Sequence, residues 1–268
     1  MSASTANAGK ATAPVSEPSP VTKAALESGE PEFRRIGVGP WTQEHPGAPR
    51  PDDPSNPDHA RFDPALLDEG DTRNVLDRYR YWTVNAIRED LDTRGRHGFE
   101  VAAENWTHDF NIGSMVRSAN AFGAARVHIV GPHKWNRRGS LMTELYQHVV
   151  HDPSVEELIA STRGREPGLR VIAIDNVPGA VPIETYRFPE RCLLMFGAEG
   201  PGLSQRALDL ADDVVYITQW GSVRSINAGA AAAVAMHACA AQHPATTPLP
   251  QNPQQAARNT DSPASPQA

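Results

Sequence analysis

The chain has 268 residues, two cysteines and a formal net charge of −7 at pH 7. An acidic chain does not attract nucleic acid by its overall charge, so any RNA partner must be held by a local basic patch. Two cysteines are too few for a disulfide framework or a thiolate metal cage, so we expect a cytoplasmic protein without a bound metal.

The two ends of the chain differ in composition from its middle. Residues 1–70 are rich in proline and acidic side chains, and residues 242–268 are rich in proline, glutamine and alanine. Such segments bury too little apolar surface to offset the entropy lost on ordering, so we predict that both are disordered. The apolar region of a secretory signal and the roughly 20 apolar residues of a membrane helix are both missing, so neither is expected.

The middle of the chain is long enough for one domain with a single hydrophobic core. Residues 71–98 are predicted to be a helical lead-in, because Val75, Tyr79 and Trp82 recur near helical spacing. Residues 99–241 are predicted to form the core domain.

The first half of the core alternates between strand and helix patterns. Residues 98–103 and 126–130 are apolar runs of strand length, whereas residues 112–122 place apolar side chains on one helical face. Gly123 ends that helix, and a second helix is predicted at 154–161 after an Asp-Pro start.

The second half continues the alternation. Strands are predicted at 169–174, 191–196 and 214–217, and helices at 205–211 and 228–241. Strands that alternate with helices favour an α/β fold, in which a mostly parallel sheet has helices on both faces. Ligands of such folds bind at the carboxyl ends of the strands.

Three segments place glycine and polar side chains against the starts of predicted helices. They are residues 111–120 (Asn-Ile-Gly-Ser-Met-Val-Arg-Ser-Ala-Asn), 196–204 (Phe-Gly-Ala-Glu-Gly-Pro-Gly-Leu-Ser) and 217–227 (Ile-Thr-Gln-Trp-Gly-Ser-Val-Arg-Ser-Ile-Asn). Helix starts leave backbone N–H groups free to hold a ligand. The dinucleotide and phosphate-loop glycine patterns are both missing.

These three segments, in this order and spacing, resemble the motifs of the TrmH/SpoU branch of the SPOUT RNA methyltransferases. The resemblance extends over residues 99–241. It implies a SPOUT-type sheet with a C-terminal trefoil knot, and transfer of a methyl group from S-adenosyl-L-methionine to a ribose 2′-hydroxyl of tRNA or rRNA. It also implies a homodimer.

The resemblance also assigns residue roles. The catalytic residues would be Arg117, Asn111, Ser225, Asn227 and Glu199, and the methyl donor would be bound by Gly197, Glu199, Gly202, Ile217 and Ile226. From the residues alone, Asn111, Ser225 and Asn227 are equally explained as helix caps, and the turn at 196–204 as an ordinary strand-to-helix connection.

Arg117 is expected at the position of the family's essential arginine, and two roles stay open for it. It either takes the proton from the ribose hydroxyl or stays cationic, binds a phosphate and stabilises the developing alkoxide. We favour the second role, because guanidinium groups in proteins do not deprotonate readily.

A basic loop at 133–138 is the predicted RNA-binding surface. It combines charge with an aromatic ring, the usual means of holding unpaired nucleotides. A solvated surface loop with a half-buried tryptophan explains the same residues, and this alternative stays open. The predicted RNA-binding residues are His133, Lys134, Trp135, Arg137 and Arg138.

Two other functions compete with methyl transfer. A catalytically inactive RNA-binding or ribosome-assembly protein could use the same knotted fold, although it would need the basic loop and not the polar residues of the three motifs. An unrelated nucleotide-binding α/β protein would need a phosphate loop, which the sequence does not show.

Overall fold

The computed structural model describes residues 19–29, 36–107 and 109–243. The chain divides into two compact units, residues 1–36 and 37–268. In the first unit the structure describes one helix, α1 (Pro20–Glu27), whose N-terminus is capped by the side chain of Ser19. Residues 1–18, 30–35 and 244–268, which belong to the two segments predicted to be disordered, lie outside the described residues.

A parallel sheet forms the centre of the second unit. The described strands pair in the order β3-β2-β1-β6-β4-β7-β5, and every pair is parallel. The chain therefore builds one half of the sheet outward from β1, crosses over, and later inserts β6 between β1 and β4. The strands are β1 (His97–Glu104), β2 (Ala124–Val130), β3 (Val149–Asp152), β4 (Arg170–Ile174), β5 (Val181–Pro182), β6 (Cys192–Phe196) and β7 (Asp213–Tyr216).

The helices of this unit connect the strands or precede the sheet. Within the part of the chain that the structure describes, no helix is long and apolar enough to cross a membrane. The helices are α2 (Trp41–Glu44), α3 (Pro64–Glu69), α4 (Val84–Arg94), α5 (Ile112–Ala121), α6 (Val155–Arg165), α7 (Gln205–Leu210) and α8 (Ala228–Gln242).

Both faces of the sheet are covered by helices, as the alternating pattern predicts. Helices α5 and α8 pack on one face, where Leu194 and Phe196 of β6 point. Helices α6 and α7 pack on the other face, against Leu193 and Met195 of the same strand. Successive side chains of a strand point to opposite faces, so a continuous apolar run such as 192–196 serves two cores.

Residues 37–70 depart from the disorder predicted from their composition. They belong to the same compact unit as the sheet, and Leu67 of α3 is buried. Asp71 is fully buried, and its backbone pairs with that of Val38. Backbone hydrogen bonds and buried polar side chains stabilise this segment. A prediction from proline and acidic content does not take these interactions into account.

The lead-in is helical over a shorter range than 71–98. Tyr81 adopts a left-handed φ of 63°, which interrupts any helix before Thr83 caps α4. Its apolar side chains nevertheless pack as the spacing predicts, because Tyr79, Trp82 and Ile87 form a small buried cluster with Tyr146.

Candidate active site

The carboxyl ends of β4, β6 and β7 border a cleft of about 1150 Å³, here called the strand-end cleft. It is lined by the loops that follow these strands and by the first residues of α8. Parallel strands end at one edge of a sheet, so sequence segments far apart meet there. The predicted donor-binding residues all line this cleft: Gly197, Glu199, Gly202, Ile217 and Ile226.

The turn after β6 is unusually tight. Ala198 and Gly202 pair through two backbone hydrogen bonds of 3.2 and 3.0 Å. A Cβ atom on Gly197 would lie 2.0 Å from the carbonyl carbon of Gly202, and Gly202 itself has a φ of 74°. Both positions therefore require glycine, since any side chain would open the turn.

Two carboxylates, at the ends of the strands on either side of β6, hold this turn in place. Glu104, the buried last residue of β1, accepts hydrogen bonds from the backbone N and Oγ of Ser204 at 2.7 and 2.8 Å. Asp175, just after β4, accepts one from the Leu203 backbone N at 2.8 Å. The sequence prediction missed both residues, although a carboxylate that ends a buried apolar strand is a detectable signal.

The three motifs meet in a polar cluster around Glu199. Asn111 Nδ2 and Asn227 Nδ2 donate to Glu199 Oε2 at 3.0 and 3.1 Å. The backbone N–H of Ala228, at the start of α8, donates to the same oxygen at 2.8 Å. A carboxylate at a helix N-terminus is also stabilised by the helix dipole. One anionic group thus joins residues that lie far apart in the sequence.

A second carboxylate, that of Asp109, accepts hydrogen bonds from two residues of the cluster, Asn111 and Glu199. Asp109 Oδ1 accepts from the backbone N and Nδ2 of Asn111 at 2.6 and 2.9 Å, and its other oxygen accepts from the backbone N of Glu199. Asp109 is 7% exposed, so its charge is compensated by these donors. The sequence prediction missed this residue too.

The two asparagines differ in how they use their helix-start positions. Asn227 caps α8, because its Oδ1 accepts from Ala230 N at 3.1 Å. Asn111 makes no capping bond to the described part of α5, and its side chain is directed to Glu199 and Asp109 instead. The cap interpretation therefore describes Asn227 and does not describe Asn111.

Ser225 and Arg117 stand apart from this network. Ser225 lines the strand-end cleft and is exposed, and its side chain makes no hydrogen bond to the residues that the structure describes. Arg117 is exposed on α5, six residues or about 9 Å along the helix axis from Asn111. Within one chain, Arg117 is not brought to the polar cluster.

Arg117 instead lines a second cleft of about 1140 Å³, here called the lead-in cleft. Its other walls come from residues 74–97, the loop containing Tyr146, and the second half of α8, including His237. The Arg117 guanidinium makes no hydrogen bond or ion pair to any described residue. It is therefore available to an anionic group from outside the chain.

The basic loop keeps its charges exposed but not its aromatic ring. Lys134, Arg137 and Arg138 are exposed, whereas Trp135 is 9% exposed and belongs to the core on the α5 side of the sheet. The guanidinium of Arg137 lies over the Trp135 ring, 5.9 Å from its centroid. The structure thus corrects the prediction of a stacking ring at Trp135. The ring packs into the hydrophobic core and is not accessible to a base.

The side chain of Asn105 connects the basic loop to the polar cluster. Asn105, fully buried after β1, donates from Nδ2 to the carbonyl oxygen of His133 at 2.7 Å. Its Oδ1 accepts from the backbone N of Asp109 at 3.2 Å. Among the described residues, no cluster of three or more His, Cys, Asp or Glu side chains is arranged to hold a metal.

Comparisons with known proteins agree on one family. The family model described as the SpoU rRNA Methylase family matches residues 98–237. The tRNA (guanosine(18)-2′-O)-methyltransferase of Escherichia coli K12 is 25% identical over 151 residues, which cover 55% of this chain and 65% of that protein. The chain therefore spans slightly less than two thirds of that relative's length.

Two solved structures resemble the chain. The SpoU methyltransferase AviRb from Streptomyces viridochromogenes, in complex with AdoMet, has 28% identity and a TM-score of 0.50, covering 57% of this chain and 60% of that chain. The A. aeolicus TrmH/SpoU tRNA modifying enzyme has 18% identity and a TM-score of 0.53, and the match covers 60% of this chain and 83% of that chain. The second likeness concerns the fold alone.

Proposed function

Because the chain belongs to the SpoU rRNA methylase family, we propose that it transfers a methyl group from S-adenosylmethionine to a ribose 2′-hydroxyl of tRNA or rRNA. The main support is the cluster of Asn111, Glu199 and Asn227, which joins the three motifs at the strand-end cleft. A protein that only binds RNA needs basic side chains but gains nothing from this cluster.

The residues of the strand-end cleft fit S-adenosylmethionine. Its volume of about 1150 Å³ is ample for a cofactor-sized ligand. Ile217 and Ile226 offer apolar surface, and the glycine turn at Gly197 and Gly202 exposes backbone groups without side chains in front of them. When bound, S-adenosylmethionine supplies a sulfonium methyl group that is already activated for transfer.

The polar residues at the cleft are proposed to orient the reacting groups. Asn111 and Asn227 are each fixed by several hydrogen bonds, so their amides are preorganised. Glu199 anchors both of them and the start of α8. Ser225 lines the same cleft and is free of hydrogen bonds to described residues, which leaves its hydroxyl available to the ribose.

Arg117 is proposed to act as a cation. A guanidinium in a protein stays charged and binds phosphate well. Arg117 would hold a phosphate beside the target nucleotide and stabilise the negative charge that develops on the 2′-oxygen. The proton of the hydroxyl would leave to water.

A homodimer explains the position of Arg117. Its guanidinium lines the lead-in cleft of its own chain, so we propose that it acts at the strand-end cleft of a second subunit. Val234, which is 43% exposed on α8, would lie in the contact. We further propose that the segments after β6 and β7 form the trefoil knot of the family, and that the enzyme works in the cytoplasm.

The basic loop is proposed to bind RNA through charge. Lys134, Arg137 and Arg138 are exposed, and Asn105 connects the loop to the polar cluster. Phosphates bound here would lie on the same side of the sheet edge as the reacting groups. His133 is exposed in the same loop.

Labelled methyl transfer tests the proposed function. The full chain is incubated with methyl-labelled S-adenosylmethionine and total RNA from cells that lack its gene, and digested RNA is searched for 2′-O-methylnucleosides. We expect one nucleotide of tRNA or rRNA to gain label, and the same position to be unmethylated in the deletion strain. No transfer, together with no ribose methyl lost in that strain, would favour the inactive RNA-binding alternative.

A further inference from the structure

Trp220 is the most exposed large apolar side chain among the described residues. Its side chain is 86% exposed, in the loop at 217–227 that connects β7 to α8. A single exposed apolar side chain is common and by itself indicates nothing. Trp220, however, lies in a loop that borders the strand-end cleft.

The loop that carries Trp220 is fixed at the rim of the strand-end cleft. Gln219 and Val223, on either side of it, line the cleft. Asn176 Nδ2, from the loop after β4, donates to the carbonyl oxygen of Arg224 at 3.2 Å, and Gln219 Nε2 lies 3.5 Å from the same oxygen. The backbone is thereby tied across the cleft, with the indole ring left outside.

The same loop carries an exposed cation four residues after Trp220. Arg224 is exposed, and its guanidinium makes no hydrogen bond or ion pair to the described residues. An exposed indole and an exposed arginine in one short loop are suited to an unpaired nucleotide, because the base stacks on the ring and the phosphate pairs with the cation. Trp135 cannot supply such a surface, since it is buried.

We infer that Trp220 stacks on a base at or beside the target nucleotide, while Arg224 pairs with the adjoining phosphate. This inference rests on the proposed function, because it gives the strand-end cleft an RNA substrate. It means that the methylated ribose lies in an unpaired stretch whose bases are accessible from one side. Trp220 is then a residue that positions the substrate, and Asn111, Glu199 and Asn227 remain the groups at the reacting atoms.

Fluorescence tests the stacking without any need for methyl transfer. A mixed-sequence oligoribonucleotide is titrated into the wild-type protein and the Trp220→Phe variant, and inorganic polyphosphate serves as a probe that has charge but no bases. Stacking predicts that the oligoribonucleotide quenches the wild type more than the variant, whereas polyphosphate does not distinguish them. Equal quenching of both proteins by RNA overturns the inference.

Kinetics separates stacking from charge. We expect Trp220→Ala to raise the KM for RNA about tenfold, with a nearly unchanged kcat and an unchanged salt dependence. Arg224→Gln should also raise the KM and should flatten its salt dependence, because one phosphate contact is lost. Trp220→Phe should recover part of the loss, and Leu26→Ala, which removes another exposed apolar side chain, should change nothing.

The two hypotheses fail in different ways. If the wild type methylates RNA and Trp220→Ala has a normal KM, the stacking role is wrong and the proposed function stands. If the wild type transfers no methyl group, the fluorescence difference still decides whether Trp220 binds a base. A change in oligomeric state of Trp220→Ala with a normal KM would assign the ring to a subunit contact instead.

Discussion

Asn227 and Asn111 are hydrogen-bonded to each other although they lie 116 positions apart in the chain, with Asn227 Nδ2 2.9 Å from Asn111 Oδ1. Both amides also donate to Glu199 Oε2. Each side chain therefore fixes the orientation of the other two. The arrangement depends on an acceptor that carries negative charge, because an uncharged amide at 199 would attract the same donors less strongly.

Glu199→Gln tests this dependence. We expect methyl transfer to fall at least about 100-fold, since misplaced polar groups at a reacting centre cost about that much. The melting temperature should change by only a few degrees, because Glu199 is exposed. Turnover measured alongside a thermal melt checks both points.

Glu156→Gln is the matched control for that experiment. Glu156 is also an exposed carboxylate, paired with Arg206 on the surface, and its substitution should leave turnover unchanged. Wild-type turnover in Glu199→Gln would show that the cluster only stabilises the fold.

Arg117→Ala should abolish turnover and leave binding of S-adenosylmethionine intact. The physical reason is the separation of Arg117 from the strand-end cleft within one chain. Arg117→Lys should recover part of the activity if the side chain acts as a cation, because lysine retains the charge. Calorimetry with the donor and labelled transfer to RNA measure the two effects separately.

Mixing two inactive variants tests whether Arg117 acts across subunits. Arg117→Ala and Glu199→Ala are combined under conditions that exchange subunits. Random pairing makes half of the dimers mixed, each with one intact site of two, so about a quarter of wild-type activity should return. No recovery, despite demonstrated mixed dimers, would place Arg117 at the cleft of its own chain.

The main elements of the sheet and its helices could be predicted from the sequence. The apolar runs at β1, β2, β4, β6 and β7 and the apolar face of α5 are local patterns, so they are readable without tertiary information. The two strands that the sequence prediction missed, β3 and β5, are short edge strands with half-exposed residues. Their pairing depends on neighbours that the sequence alone does not place.

The sequence predicted the motif residues of the site but not the buried carboxylates that hydrogen-bond to them. Gly197, Glu199 and Ile217 carry motif positions, and the structure places them at one cleft. Glu104 and Asp109 act through hydrogen bonds to residues about a hundred positions away. The sequence left the exposure of Trp135 open between a stacking ring and a half-buried one, and tertiary packing decides for burial.

The basic loop should govern RNA affinity through charge alone. Replacing Lys134, Arg137 and Arg138 with glutamine should raise the KM for RNA and flatten its salt dependence, because each lost phosphate contact reduces the number of released counterions. Trp135→Phe, by contrast, should lower thermal stability without altering the salt slope, because the ring is in the core. An unchanged salt slope in the triple variant would move the RNA surface elsewhere.

Asp71 should make the free energy of unfolding decrease at acidic pH. Burial disfavours its charge, but Arg73 and the backbone N–H groups of Tyr81 and Arg73 outweigh burial and hold the pKa of Asp71 below its usual value. A lowered pKa stabilises the fold at pH values above the unfolded pKa, and this contribution is lost as pH falls through the folded pKa.

Asp71→Asn should therefore lower the free energy of unfolding by about 3–5 kcal/mol at pH 7, because it leaves the largely buried Arg73 without its anion. The difference from wild type should begin to narrow below about pH 4, where the carboxylate of the unfolded chain begins to be protonated, and it should narrow further as pH falls toward the lower pKa of the folded state. Urea unfolding at pH 7, 5 and 3 measures it, with Asp77→Asn as the control, since Asp77 is 71% exposed. A difference that stays constant down to pH 3 would show that packing at residue 71, and not its charge, stabilises the segment.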